Sequence, residues 1–476
     1  MDSKTFRNEG YNLIDWIADY LDHAEDFPVL SRSQPGTIHD ALPAAAPAHA
    51  EPFDQVMADF EKLILPGVTH WNHPRFFAYF PANNSAPSIL GELLSAGLGV
   101  NAMLWQTSPA ATELEQRMME WLDDLIDLPA GFHGVIQDTA STATLCALLC
   151  AREKSTGYEF NAKGSASLEV GRPLRIYCSS EAHSSVIKGA RIAGFGDENI
   201  VQVAVDKDRA MAPDALAQAI ETDLAAGRLP CCIVATVGTT STTAIDPLQK
   251  IGPLARKFDL WLHVDAALAG SAAILPEKRW ILDGVEHADS LVFNPHKWLF
   301  VNFDCSAFFV RDPGHLERVM AIDPAYLQTD RDSQVTNYRD WGIQLGRRFR
   351  ALKVWFVLRS YGADRLRAML AEHIAMAVEF RDWIEGDADW ELLAPVPLNT
   401  VCFRFHPTGF AGADEELNRL NKDLMDRVNA AGRTYLTHTV LDGCFALRLA
   451  VGQTGTQRRH VAEAWEELRE KAGEAS

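Results

Sequence analysis

Four short stretches carry reactive side chains just beyond an apolar run. The run 261–264 ends in Asp265, and the run 290–293 ends in Asn294-Pro295-His296-Lys297. The run 175–178 is followed by His183, and Gly134-Val135-Ile136 leads through Thr139-Ala140-Ser141 into a helical pattern. Lys297 is followed by apolar Trp298-Leu299-Phe300. An amine in such surroundings has a depressed pKa and can act as a nucleophile. The plain alternative is a lysine reaching from a loop to solvent. Asp265 lies in Leu262-His263-Val264-Asp265-Ala266-Ala267, and a buried carboxylate needs a partner. A pyridinium nitrogen in that role would stay protonated and make its ring an electron sink. Taken alone, a capping or turn aspartate is the simpler reading.

Thr139-Ala140-Ser141 offers hydroxyls and backbone N–H groups at the positive end of a helix, which suits a phosphate. The same residues are also ordinary N-caps. Gly238-Thr239-Thr240-Ser241-Thr242-Thr243 could add hydroxyl donors or be an inert polar loop. His263 and Asp265, two apart on one strand face, have with His296 the residue types of a two-histidine, one-carboxylate metal site. A satisfied core histidine explains His263 more simply, and no metal is expected. His70 and His73 have no Cys or His companions that would make them ligands.

These residues need elements to position them. From about residue 86 to 360, strand-like runs at 134–136, 175–178, 200–203, 232–236, 261–264, 290–293 and 307–310 alternate with helical patterns at 140–152, 184–193, 213–226 and 248–258. That alternation predicts a mostly parallel seven-stranded α/β sheet sandwiched by helices, with ligands beyond the carboxyl ends of its strands. Helices at 363–385, 413–430 and 456–471 and strands at 400–404, 435–439 and 446–449 predict a small α+β domain after it. Before it, Phe6, Leu13, Ile14, Ile17 and Leu21 repeat at helical spacing, as do Phe53, Val56, Met57, Phe60 and Ile64. A Pro- and Ala-rich connector, 31–50, separates the two helices. They cannot bury their apolar faces alone, so they are expected to pack on the main body or on a second subunit. The expected division is 1–85, a helical N-terminal arm; 86–360, a large cofactor-binding domain; and 361–476, a small C-terminal domain.

Composition narrows the function classes. Lys and Arg total 44 and Asp and Glu 64, a formal charge of −20. That excess repels phosphate backbones and anionic lipid, so neither nucleic acid nor membrane is an expected partner. No uncharged apolar stretch reaches the roughly 18 residues that span a bilayer, and the acidic, amphipathic N-terminus is no signal peptide. Eight cysteines without a C-x-x-C pair fit neither a zinc site nor a disulfide framework, and they point to a reducing cytoplasm.

His263-Val264-Asp265-Ala266-Ala267 and Asn294-Pro295-His296-Lys297-Trp298 resemble the group II pyridoxal-phosphate-dependent amino acid decarboxylases, above all those acting on aromatic L-amino acids. The resemblance runs from about Phe6 to Leu468. It includes Pro66-Gly67-Val68-Thr69-His70-Trp71, Phe76-Phe77-Ala78-Tyr79-Phe80-Pro81, Ser108-Pro109-Ala110, Thr112-Glu113-Leu114-Glu115, Ala182-His183-Ser184-Ser185-Val186 and Leu345-Gly346-Arg347-Arg348-Phe349. It implies the fold-type I scaffold and pyridoxal 5′-phosphate as cofactor. In that family pattern Lys297 bonds the cofactor aldehyde, Asp265 pairs with the pyridine nitrogen, His183 stacks on one ring face and Ala267 packs on the other. Ala140, Ser141, Thr240, Asn294 and His296 hold the phosphate.

The same resemblance makes Tyr326, in Asp323-Pro324-Ala325-Tyr326-Leu327, the acid that protonates the α-carbon from a loop of the other subunit. The plain alternative is a tyrosine that ends a helix. Relatives with Phe at this position form aldehydes oxidatively, so Tyr326 with His183 implies simple decarboxylation. The loop 328–337 is polar, as a lid would be, and about two residues shorter than in animal relatives. Trp71, Tyr79 and Phe80 match the aromatic pocket. Ala82, Asn101, Met103 and Leu268 depart from the residues of animal relatives, and Gly346 belongs to the substrate side. The expected activity is decarboxylation of DOPA, tyrosine, phenylalanine, tryptophan or 5-hydroxytryptophan to the amine and CO2, by a homodimer with its active site at the interface. Another L-amino acid, or another reaction of the same cofactor such as transamination, is the alternative.

Overall fold

The computed structural model describes residues 1–168, 172–322 and 324–474. The seven expected runs form one sheet: β1 His133–Gln137, β2 Leu174–Ser179, β3 Ile200–Val203, β4 Leu229–Thr236, β5 Trp261–Asp265, β6 Ser290–Phe293 and β7 Ser306–Val310. Their order is β1-β7-β6-β5-β4-β2-β3. Neighbours pair in parallel from β6 through β3, whereas β7 is antiparallel to both β1 and β6. Every residue of β5, β6 and β7 is buried. Strands covered on both faces read as continuous apolar runs, which is why these were visible without alternation.

Helix Ala140–Ser155 buries Ala143, Cys146, Ala147, Cys150 and Ala151 in the cluster that contains Val135, Ile176, Val234, Trp261, Val292 and Phe308. Such small side chains let a helix backbone lie close to a sheet. All eight cysteines are free thiols. Burial pushes Cys146 up to about 12, and Cys178, Cys231 and Cys305 likewise, so these thiols stay protonated and inert.

Register brings the reactive residues to one edge. Thr236 pairs with Asp265, Asp265 with Val292, and Gln137 with Ser306. Because β7 runs the opposite way, its first residue joins the carboxyl ends of β1, β4, β5 and β6.

The chain folds as two compact units, residues 82–381 with 392–402, and residues 1–81 with 382–391 and 403–476. This cuts the sequence differently from the expected 1–85, 86–360 and 361–476. Backbone hydrogen bonds explain why residues 1–81 share a unit with the C-terminal segment. Val29 N–H donates to the Gly432 carbonyl at 2.9 Å, Phe77 N–H to Tyr435 at 3.0 Å and Ala450 N–H to Phe77 at 3.0 Å. A second sheet, in the order β10-β11-β9-β8, is formed by β8 Trp390–Leu392, β9 Thr400–Phe405, β10 Thr437–Leu441 and β11 Cys444–Ala450. The three-residue β8 is too short to show in the sequence. The expected helix 363–385 is the second of two helical stretches in Ala351–Glu385, which meet at Gly362, where the backbone is not helical (φ 71°). The first helix, Ser3–Asp22, has no buried residue. Phe6 is 68% and Tyr11 65% exposed.

Candidate active site

Lys297 sits on the one-turn helix Pro295–Trp298, started by Asn294 just past β6. Its N–H donates to the Asn294 carbonyl at 2.9 Å. Its carbonyl accepts from Asn83 Nδ2 at 2.8 Å, and Asn83 N–H donates to the His296 carbonyl at 3.0 Å. Asn83 thus anchors the lysine turn from a segment 214 residues away. Asn294 Oδ1 accepts from Ser306 Oγ at 2.6 Å, and Asn294 N–H donates to the Ala267 carbonyl at 2.9 Å. These bonds lash the ends of β5, β6 and β7 together around Lys297.

Asp265 is buried, and its Oδ1 accepts from Ala267 N–H at 3.1 Å. His183 caps helix Ser184–Ile192: its Nδ1 accepts from Ser185 N–H at 3.1 Å and lies 2.8 Å from Ser185 Oγ. His183 is exposed at the helix start, yet crowding around its ring lowers its pKa, and Lys297 lowers it further against the pull of Asp265. These three residues therefore feel one another electrostatically.

His296 is buried, and burial, aided by Lys297, drives its pKa down to about 3. Its Nδ1 accepts from Cys305 N–H at 2.9 Å. A neutral ring whose Nδ1 accepts must carry its proton on Nε2, so His296 is a fixed donor.

At the start of helix Ala140–Ser155, the Thr139 side chain accepts from Thr142 N–H. The first N–H groups of the helix, on Ala140 and Ser141, have no intrahelical acceptor, as at any helix start. In the loop after β4, Thr239 Oγ1 lies 3.1 Å from Thr242 Oγ1 and accepts from Ala244 N–H at 3.0 Å. Those hydroxyls hold the loop, while Thr240 is exposed. Asp246 fastens the same loop by accepting from Met211 and Thr236 N–H, each at 2.7 Å.

The expected cofactor fits this set. A phosphate needs neutral or positive donors, and His296, the helix start and Thr240 supply them. A ring nitrogen needs a buried carboxylate, and Asp265 is one. The hydroxyls of Ser179 and Thr236, buried at the ends of β2 and β4, have no hydrogen-bond partner. Unsatisfied buried polar atoms at a strand edge mark a place where a polar molecule belongs. The metal alternative meets the opposite situation. His263 Nδ1 is 2.9 Å from Ser290 Oγ and its Nε2 is 3.4 Å from Thr144 Oγ1, so it is a satisfied core histidine.

Of the residues expected on the substrate side, Ala82, Asn101, Met103 and Gly346 belong to the larger unit and Trp71, Tyr79 and Phe80 to the smaller. In the larger unit, Asn101 Oδ1 accepts from Arg347 N–H at 3.0 Å, and Asn101 Nδ2 lies 3.7 Å from Met103 Sδ. A Cβ on Gly346 would meet Asn101 Nδ2 at 3.7 Å, so these three residues adjoin one another. Ala82 precedes Asn83 and is half-buried. Tyr326 is 76% exposed on the single turn Ala325–Leu327; Asp323 of its motif lies outside the described residues. The loop after it is tied together by Asp332, which accepts from Thr329 N–H at 2.9 Å and Asn337 Nδ2 at 2.9 Å.

In the smaller unit, the Trp71 and Tyr79 rings stack at 5.9 Å and 17°. Phe80 lies against the Arg448 guanidinium at 4.5 Å. Tyr79 has φ 51°, a left-handed backbone that costs a bulky residue roughly 1–3 kcal/mol.

Sequence reasoning missed Asn83, Asp246, Ser306 and the orphan hydroxyls of Ser179 and Thr236. The polar run Asn83-Asn84-Ser85 following apolar residues was the available signal for the first. The others look like ordinary strand-end or loop residues.

The profile of the "Pyridoxal-dependent decarboxylase conserved domain" matches residues 35–406. The chain is similar to phenylacetaldehyde synthase of Arabidopsis thaliana, at 44% identity over 482 residues, covering 99% of this chain and 96% of that protein. It is similar to tryptophan decarboxylase 2 of Oryza sativa subsp. japonica at 43% identity, covering 99% and 95%. The crystal structure of Oryza sativa TDC with PLP and tryptamine matches with a TM-score of 0.96 at 37% identity, covering 100% of this chain and 99% of that one.

Proposed function

Because the chain belongs to the family of pyridoxal-dependent decarboxylases, we propose that it removes the α-carboxyl group of an aromatic L-amino acid and releases the amine and CO2. DOPA, tyrosine, phenylalanine, tryptophan and 5-hydroxytryptophan are the candidate substrates. The observation that carries this reading is the single sheet edge shared by Lys297, Asp265, His183 and the neutral donor His296.

Pyridoxal phosphate supplies, when bound, a protonated ring that takes up the electron pair left by the departing carboxylate. Ala140, Ser141, Thr240, Asn294 and His296 would hold its phosphate. Lys297 would provide the amine that holds the aldehyde end. Asp265 keeps the proton on the ring nitrogen. His183 and Ala267 would confine the ring from its two faces and exclude water. Trp71, Tyr79 and Phe80 offer faces to an aromatic side chain, with Ala82, Asn101, Met103 and Gly346 shaping the rest of its surroundings. Tyr326 brings a proton to the α-carbon.

A second reading has one observation behind it, the similarity to a protein named phenylacetaldehyde synthase. Aldehyde formation is expected where the loop tyrosine is missing, and Tyr326 is present. The test is a product screen of the holoenzyme across the five amino acids, with glutamate and histidine as outliers and Lys297→Ala as the blank. Amine and CO2 from an aromatic substrate are expected, and Tyr326→Phe should lose amine formation while keeping bound cofactor. A keto acid as the product would instead mean transamination, and normal amine output from Tyr326→Phe would remove that residue from the mechanism.

The enzyme acts as an obligate homodimer, with Tyr326 serving the partner's site, in a reducing cytoplasm. Support comes from apolar surface left open on the single chain. Leu90, Leu93, Leu94 and Leu98 form an exposed stripe on helix Ala86–Leu98, and Phe6 and Tyr11 are open on the first helix. Free, mostly buried thiols suit the compartment. Among the described residues, no helix is long and apolar enough to cross a membrane.

A further inference from the structure

Tyr79 is more tightly held than an exposed aromatic needs to be. It is 52% exposed and keeps a left-handed backbone at φ 51°. Three groups of the same compact unit clamp it. Its N–H donates to Thr437 Oγ1 at 3.1 Å, on β10. Its carbonyl accepts from the buried Arg448 guanidinium, on β11. Its phenol oxygen lies 3.4 Å from the phenol oxygen of Tyr435. The ring itself is held between Trp71, stacked at 5.9 Å, and Tyr435, edge-on at 6.1 Å and 71°. Tyr435 in turn stands edge-on to buried Phe76 at 5.5 Å, and its N–H donates to the Arg75 carbonyl at 3.2 Å. A strained backbone held from three sides is usually strain kept for a function.

We propose that Tyr435, with Thr437 and Arg448, positions Tyr79 so that the two phenol hydroxyls form a fixed hydrogen-bonding pair that selects aromatic side chains bearing a ring hydroxyl over those lacking one. This rests on the reading that Tyr79 faces the substrate. Burial and the neighbouring Tyr79 phenol push Tyr435 up to about 12, so it keeps its proton at neutral pH. In a pair of neutral phenols, one hydrogen is spent between the two oxygens. The other hydrogen and the remaining lone pairs are left to receive a third hydroxyl. A hydroxylated ring satisfies them; an unsubstituted ring leaves them desolvated and unpaired. Sites built this way discriminate strongly against the analogue that lacks the polar group.

The test removes one oxygen atom. Tyr435→Phe keeps the ring contacts with Tyr79 and Phe76 and deletes only the hydroxyl. In the holoenzyme, kcat/KM is measured for phenylalanine against tyrosine and for tryptophan against 5-hydroxytryptophan. Equilibrium binding of phenethylamine and tyramine gives a readout independent of turnover. The preference for the hydroxylated member should fall about tenfold or more in the variant. The loss should lie in KM and in tyramine affinity, with kcat for the unhydroxylated substrates within about twofold of wild type. Thr437→Val, which frees the Tyr79 N–H, should lower the same preference, and Thr437→Ser should restore it. Wild type that turns over these substrates, with Tyr435→Phe leaving both ratios unchanged, would overturn the role of Tyr435 alone. Wild type that turns over none of the four would overturn the aromatic reading itself, and this proposal with it.

Discussion

At His296 the sequence shows a histidine beside a lysine, and only the structure shows which protonation state that histidine holds. Burial and Lys297 both act against a charge on the ring, and Cys305 N–H takes up the Nδ1 lone pair. The result is a donor that does not switch near neutral pH. We predict that His296→Phe, similar in size and unable to donate, weakens cofactor retention by about tenfold, the scale of losing a hydrogen bond to a charged group. Equilibrium dialysis with absorbance of the bound cofactor measures it; unchanged retention would show that the phosphate is held elsewhere. Lys297, Asp265 and His183 were legible as residues because they follow apolar runs. Their roles were not legible from spacing, since a capping aspartate and a surface lysine look the same in one dimension. Asn83 was invisible for a related reason. Its work is done 214 residues away, on the backbone of Lys297 rather than on a side chain.

Elements were read more easily than their directions. All seven large-sheet strands were expected, because buried strands are apolar without interruption. Nothing in Ser306–Val310 announces that β7 runs against its neighbours. Direction depends on how the chain returns from Phe293, and that path has no periodic signal. The antiparallel strand bears on the proposed site, since it delivers Ser306 to Asn294 from its starting end. The loop after β4 shows a second limit. Gly238 has φ 87°, and a Cβ there would lie 2.6 Å from Ala269 Cβ. Gly238→Ala should therefore destabilise the protein by roughly 1–3 kcal/mol, combining a left-handed backbone with overpacking. Urea unfolding of the apoenzyme checks this, and a midpoint equal to wild type would mean that the loop relaxes freely.

Over the whole molecule, buried histidines and open leucines make two further expectations. His73, His263 and His373 are held down to about 4, and His296 to about 3, chiefly by burial. Each binds its proton less readily when folded than the ordinary 6.5 of an unfolded chain. Their contribution to stability is complete above pH 6.5 and is lost as pH falls towards 4. The thermal midpoint should fall between pH 7 and pH 5 and change little between pH 7 and pH 8. Scanning calorimetry across that range tests it, and a midpoint that climbs on acidification would contradict it. The stripe of Leu90, Leu93, Leu94 and Leu98 belongs to the proposed subunit contact. Leu94→Glu, exposed in the single chain, should fold yet sediment as a monomer with little activity, whereas a fully active monomer would sink the dimer.

The smaller unit is built from separate stretches of chain, 1–81, 382–391 and 403–476, with residues of the larger unit between them. During synthesis, Phe77 leaves the ribosome long before Tyr435 and Ala450, with which it shares backbone hydrogen bonds. At about 5–20 residues per second, the roughly 360 residues between Phe77 and Tyr435 take on the order of 20–70 s to be made. The first unit to begin is therefore the last that can be completed. A nascent chain stalled before β10 would display the assembled larger unit and an amino-terminal segment still waiting for its partner strands.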